Sequence, residues 1–404
     1  MASTLANRME TLAKTLSTTA QDVRTGAVSL EKDAMRRNEL AFAASELINS
    51  MSVPRERLQF IMAALGHLTA IRLFIQWKAF ESIPDGEGAS ISYAELTAKV
   101  GGNVTLITRL GRALATFGTL KQVCTDRVAH TDFSRAILTP YVRSVVETAF
   151  DNHATAFTSM SRYFRHFGLV EPTDRLNSVV AFAENKLGST FWEVIHEEET
   201  RRMAFITSMA AFEDQVPSLG NYSLGWAVRA AELSQDKERP LVVDVGGGKG
   251  QALENIFKNT PGLPRDRCVL EDLPEVIEAA RKENAALADV QMVPVDFHQE
   301  QPIKGALVYY IRRCLHDYSD DECVAILRRV ADAMASDSRL LIVEMLVNSP
   351  PTLFQASLDL MMMTISGKER TLDEFHAIAA TAGLRVSQVS SAHGGCAVLE
   401  CVLA

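Results

Sequence analysis

The stretch Val243-Asp244-Val245-Gly246-Gly247-Gly248-Lys249-Gly250 constrains this chain more than any other. An apolar run over 241–245 ends in clustered glycines, and a helix-compatible segment begins after Gly250. Glycines let the backbone turn sharply and let a ligand touch main chain where a Cβ would clash. The sequence then keeps alternating. Short apolar runs at 268–271, 290–293, 305–311 and 339–344 are separated by helical segments near 275–283 and 319–335. This predicts an α/β domain over 236–404, a Rossmann-like, doubly wound parallel sheet.

Polar residues fall at the ends of these runs, the ligand edge of such a sheet. Asp244, Gly246 and Gly248 belong to the glycine turn, and Glu271-Asp272 closes the next strand. A carboxylate there can accept both ribose hydroxyls of a nucleoside. Gly246, Gly248 and Gly250 follow GxGxG, not the GxGxxG of dinucleotide binders, which favours S-adenosylmethionine. Asp296 is placed to take the adenine amino group and Phe297 to cover the ring. His316 follows the fourth run at the same edge, poised to remove a hydroxyl proton. Methyl transfer from a sulfonium needs oxygen, carbon and sulfur in line and one base; no metal is called for. Glu344 and Glu369 are candidates to fix the tautomer of His316 and steady its charge. For Glu369 the plain alternative is an ion pair with Lys368 or Arg370.

The 404 residues leave room for two or three domains. Residues 1–140 read as helical, with Leu5, Met9, Leu12 and Leu16 at helical spacing. The nearly all-apolar segment 58–80 is expected to be buried on most sides. Ser92 is a candidate cap for a helix ending at Gly101, and a second helix over 105–117 and a ribbon over 119–130 complete a winged-helix pattern. That second helix offers only Arg109 and Arg112, and the net charge is −9. Both argue against nucleic acid and anionic lipid as partners. Residues 141–235 are expected to be a helical linker and pocket region. They are rich in Phe157, Met160, Phe164, Phe205, Met209 and Phe212; most should be core, a minority the lining of an apolar pocket. No unbroken apolar run of membrane-spanning length stands out. The first twenty residues lack a secretory core, and six scattered cysteines point to a reducing cytoplasm.

The stretches VDVGGGKG, DLPEVIEAA, HDYSDDEC and GKERT resemble the plant caffeate-type and fungal small-molecule O-methyltransferases that depend on S-adenosylmethionine. The resemblance implies that Asp272, Asp296, Phe297 and Arg312 hold the nucleoside. It implies that His316 is the base, backed by Glu344 and Glu369. It places the acceptor pocket between helices carrying Phe205 and Met209 and the stretch with Leu360 and Thr364, and it implies a homodimer built by the N-terminal helices. Arg313 stands where plant members carry an aromatic residue, and Tyr318 where tryptophan is common. The expected activity is transfer of a methyl group to a hydroxyl of an aromatic or polyketide-derived secondary metabolite. Some fungal proteins of this type keep the cofactor yet catalyse dehydration and hetero-Diels–Alder or Alder-ene cyclisation in polyketide-alkaloid synthesis. For that pericyclase alternative, His153, Thr207, Arg312 and Arg313 are candidate donors to a substrate carbonyl.

Overall fold

A computed structural model describes residues 2–29, 33–211, 217–391 and 395–404. The chain divides into two compact units, Met1–Val146 and Glu147–Ala404.

In the first unit, helices Ala2–Thr25, Ala34–Met51 and Pro54–Gln76 precede strand β1 (Ile91–Ser92), helices Tyr93–Val100 and Val104–Thr116, and strands β2 (Leu120–Cys124) and β3 (Arg127–His130). The three strands form a small sheet in the order β1-β3-β2. Ser92 caps its helix through a reciprocal bond with Glu95, and Asn103 caps the next. Phe74, Phe80, Leu96, Ile107 and Leu114 make the core. The apolar segment 58–80 departs from expectation. Ala70, Ile71, Phe74 and Ile75 are buried, whereas Phe60, Ile61 and Met62 are 67%, 65% and 71% exposed. By length and composition alone, helix Pro54–Gln76 is apolar enough to cross a membrane, which the sequence reading did not anticipate. An all-round apolar helix reads the same whether its partner lies in the chain or outside it.

The second unit opens with helices, among them Thr155–Phe167, Phe191–His196 and Glu199–Ala211. The segment expected as a helical linker and pocket region, 141–235, falls almost entirely within this unit. Its sheet contains β4 (Val242–Val245), β5 (Cys268–Asp272), β6 (Gln291–Pro294), β7 (Val308–Arg312), β8 (Arg339–Met345), β9 (Leu384–Ser391) and β10 (Cys396–Leu403). The order is β6-β5-β4-β7-β8-β10-β9. The first five strands are parallel; β10 runs antiparallel to both β8 and β9. The expected parallel sheet therefore carries an antiparallel hairpin at one edge. Alternate residues feed two cores: Val242, Leu270, Tyr310 and Leu341 on one face, Val243, Val269, Tyr309 and Leu340 on the other. The chain winds outward in opposite directions from β4 and β7, and the crevice beyond their carboxyl ends is where such sheets take ligands.

Candidate functional site

Gly246, Gly248 and Gly250 all adopt positive φ (70°, 61° and 86°). Gly246 N–H and Gly247 N–H donate to the Glu271 carbonyl at 2.9 and 3.0 Å, stitching the turn to the end of β5. A Cβ on Gly246 would lie 3.1 Å from Cys314 Sγ and 3.2 Å from the Phe297 ring, so a side chain there would close the cradle. Asp244 and Asp272 share one face of the sheet by strand alternation; Glu271 points to the other and accepts from Gln301 Nε2 at 2.7 Å. Pleating thus selects Asp272 over its neighbour. Asp272 accepts from Gly248 N–H and Leu273 N–H, both at 2.8 Å, which leaves lone pairs on both oxygens. Asp244 is buried beneath the turn, and its Oδ2 has no partner among the described residues. Burial, with Asp272 and Glu271 adding to it against the pull of Arg312, pushes its carboxyl up to about 7. Asp296, just past β6, accepts from His298 N–H at 2.9 Å and Gln299 Nε2 at 3.0 Å. Phe297 meets Tyr318 edge-on with ring centres 5.8 Å apart. Arg312 ends β7 at the same edge. Acceptors with free lone pairs, an orphaned carboxyl oxygen and a floor kept open by glycine fit an adenosyl ligand.

His316 sits in a short 3-10 turn, Leu315–Asp317, after β7. Its Nδ1 lies 2.7 Å from Glu369 Oε1, and Glu369 is only 4% exposed. The alternative partners of Glu369 are taken elsewhere: Lys368 pairs with Glu374 at 2.7 Å and Arg370 with Asp320 at 2.7 Å. Glu344 behaves differently from expectation. Its Oε1 accepts from Cys314 N–H and Leu315 N–H, both at 2.9 Å, so it braces the backbone of the histidine turn and bears on the ring only through its charge. Burial disfavours a charged ring, but Asp317, Glu344 and Glu369 outweigh it and push His316 up to about 10. Asp317, whose Oδ1 is 3.6 Å from Nε2, was not singled out from the sequence; burial pushes it up to about 6.

Two further residues have roles that the sequence did not show: Arg370, expected only as an alternative ion-pair partner of Glu369, and Gly367. Arg370, fully buried, donates to the carbonyls of Leu315 and Lys368 through Nη1 and to that of Tyr318 through Nη2. Gly367 packs against His316 and Asp317 so closely that a Cβ would lie 2.9 Å from the Asp317 carbonyl carbon. Lys368 N–H then donates to the His316 carbonyl at 2.8 Å. Buried arginine and tight glycine together zip 366–370 onto 315–318. The GKERT signature held both residues, but nothing local said what they touch.

The pocket residues gather in part. Phe191, Trp192 and Phe205 form an edge-to-face trio with centroids 5.4 Å apart in each pair. His153, on the π-helical turn Ala149–Ala154, is buried beside Phe191 and pairs through Nδ1 with Thr364 Oγ1 at 2.8 Å. Arg313, held at φ 50°, donates to the Met209 carbonyl at 3.2 Å. Phe205 and Met209 share a face of helix Glu199–Ala211; Thr207, two residues from each, falls on the far side. Leu360 is 48% exposed and lies outside the cluster, into which Leu358, Met361 and Met362 pack instead. Phe212 lies outside the described residues.

A doubly wound sheet with a glycine cradle and acidic strand ends on one side of a buried histidine–glutamate pair defines a nucleoside-dependent transferase site. The O-methyltransferase domain family matches residues 173–385, and the chain belongs to that family of S-adenosylmethionine-dependent enzymes. It is similar to "Methyltransferase cfoD" of Aspergillus candidus, 36% identical over 98% of this chain and 99% of that one. The crystal structure of OxaC in complex with SAH and oxaline superposes with a TM-score of 0.85 at 25% identity, covering 98% of this chain and all of that one. A structure described as a pericyclic reaction enzyme shares the fold with a TM-score of 0.77 at 22% identity, covering 96% and 99%.

Proposed function

We propose that this enzyme transfers the methyl group of S-adenosylmethionine to a hydroxyl on a small aromatic or polyketide-derived molecule, with His316 Nε2 receiving the hydroxyl proton. The 2.7 Å His316–Glu369 pair carries this reading, because it sits on the turn whose Cys314 lies against Gly246. Glu369 accepts from Nδ1–H, so in the neutral ring Nε2 bears the lone pair.

Bound S-adenosylmethionine supplies a methyl already activated by a cationic sulfur. The chain does the rest. Asp272, Asp296 and Phe297 orient the nucleoside, with Asp244 and Arg312 alongside. The trio of Phe191, Trp192 and Phe205 offers apolar ring faces to a planar acceptor. Glu369 holds the tautomer of His316, and Glu344 and Arg370 hold its turn. At about 10, His316 rests as an imidazolium at neutral pH. It acts as a base only after releasing that proton to solvent, and it then matches a phenol, whose pKa is ~10, in basicity. Methyl transfer to a hydroxyl requires such a base, and the intact pair favours it; a base also assists dehydration, and the fate of the cofactor's methyl separates the two readings.

Methyl-labelled cofactor incubated with dihydroxynaphthalene, followed by mass spectrometry, tests the reading. Label on a phenolic oxygen is expected; rearranged substrate with all label still on the cofactor would refute it. We also propose that a second copy of this chain covers the exposed Phe60–Met62 face. Light scattering should give a dimer that Phe60→Ser with Met62→Ser converts to monomer; a wild-type monomer would exclude it.

A further inference from the structure

Sequence reasoning cast His153 as a hydrogen-bond donor to a substrate carbonyl, and the geometry reverses that polarity. Thr364 has one hydroxyl hydrogen, and it goes to the Met361 carbonyl at 2.6 Å. Its Oγ1 therefore meets His153 Nδ1 as an acceptor, so Nδ1 carries the ring hydrogen. In a neutral imidazole Nε2 is then a bare lone pair. The ring stays neutral because burial, with Arg201 adding to it, pushes it down to about 4.

The ring is also held in place. It lies beside Phe191 and Phe157, with centroids 6.2 and 6.4 Å away. Its neighbour Asn152 accepts from Arg201 Nε, and Arg201 in turn pairs with Glu184 at 3.2 Å. Isolated π-helical turns recur at functional sites, where the extra residue re-aims a side chain. Among the described residues only Nδ1 of His153 is paired, although the side chain is 98% buried by its 2% exposure. Nε2 is not among the sealed unpaired atoms of the described residues, so in the free protein it can meet solvent; a ligand that displaces that solvent without bringing a donor leaves the acceptor unsatisfied, and one that brings a donor is selected over it.

We infer that His153 is a specificity-determining residue whose Nε2 accepts a hydrogen bond from a second O–H or N–H on the acceptor molecule, separate from the hydroxyl facing His316. This rests on the reading that the Phe191–Phe205 cluster takes the acceptor. The substrate class narrows to small aromatics with two donors, such as diphenols or phenolic lactams. An ether or carbonyl oxygen at that place would set lone pair against lone pair.

Long-range proton–nitrogen NMR of histidine rings in labelled full-length protein reads the tautomer directly, with the His153 signals assigned by their loss in His153→Gln. The expected ring is Nδ1-protonated and does not titrate between about pH 5.5 and 8.5. Dihydroxynaphthalene with S-adenosylhomocysteine should shift the Nε2 resonance upfield, and its monomethyl ether should not. With labelled cofactor, the diphenol should exceed the monoether in kcat/KM by ~10–100-fold, falling to about threefold in His153→Leu. An Nε2-protonated ring, a ring titrating near neutrality, no shift with the diphenol, or a preference that survives His153→Leu would each overturn the inference. The wild-type tautomer needs no variant to fold. Should the tautomer and the ligand shift stand while neither probe is methylated, the methyl-transfer reading fails and this one survives. Equal methylation of both probes by wild type and variant fails this one alone.

Discussion

Replacing Gly367 with alanine tests how the catalytic pair is assembled. Gly367 does not occupy the left-handed region, so the substitution carries no backbone strain of its own. The obstacle is space. The new Cβ would lie 2.9 Å from the Asp317 carbonyl carbon and 3.0 Å from Asp317 Cα, and closer still to the His316 carbonyl oxygen. Carbon atoms in contact prefer ~3.5–4.0 Å. The strip 366–370 and the histidine turn must therefore part by ~0.5–1 Å. That movement lengthens the 2.8 Å bond from Lys368 N–H to the His316 carbonyl and the 2.7 Å bond between His316 and Glu369 toward the limit of hydrogen bonding. A displacement of ~1 Å at reacting groups costs ~100-fold in rate, and overpacking of this kind costs ~1–3 kcal/mol in stability. Steady-state kinetics with labelled cofactor should show kcat down about 100-fold. Calorimetric cofactor affinity should stay near wild type, because Asp272 ends β5 and Asp296 follows β6, both outside the zipped strip. A Gly367→Ala enzyme with wild-type kcat and melting temperature would refute the zipper.

The remaining predictions concern single groups. His316→Ala should reduce methyl transfer by ~100–10,000-fold without weakening cofactor binding; full activity by the labelled-methyl assay would displace it as the base. Asp272→Ala should raise the cofactor Kd about 10–100-fold by calorimetry, as loss of charge-assisted bonds to ribose hydroxyls requires. The pKa of His316 is raised, so its basic form grows as pH rises toward about 10. Wild-type kcat/KM should therefore increase from neutral into alkaline pH. Glu369→Gln removes one of the charges that hold the imidazolium, so it should lower kcat and move that rise to lower pH; an unmoved profile would mean that Glu369 does not act on the base.

What the sequence determined by itself was local and chemical. The turn at 243–250 is written in residues that fold next to one another, and positive φ at three of its glycines follows from residue type. Alternating apolar runs set the parallel sheet, and a sheet of that kind puts Asp272, Asp296 and His316 at one edge. The antiparallel strands β9 and β10 were not legible, because β10 is buried on both faces and a short, mostly apolar run has no period that tells strand from helix. Tertiary structure alone decided which carboxylate meets the imidazole. Glu344 and Glu369 looked equivalent, but one lies within a buried strand and is drawn to two turn amides, while the other is carried to the ring by a strip docked through Gly367 and Arg370. It likewise decided that Phe60 and its neighbours are exposed and that His153 Nδ1 faces the Thr364 hydroxyl. Residue type supplies the chemical group; contacts between segments far apart in the chain determine which atom of it is free to react.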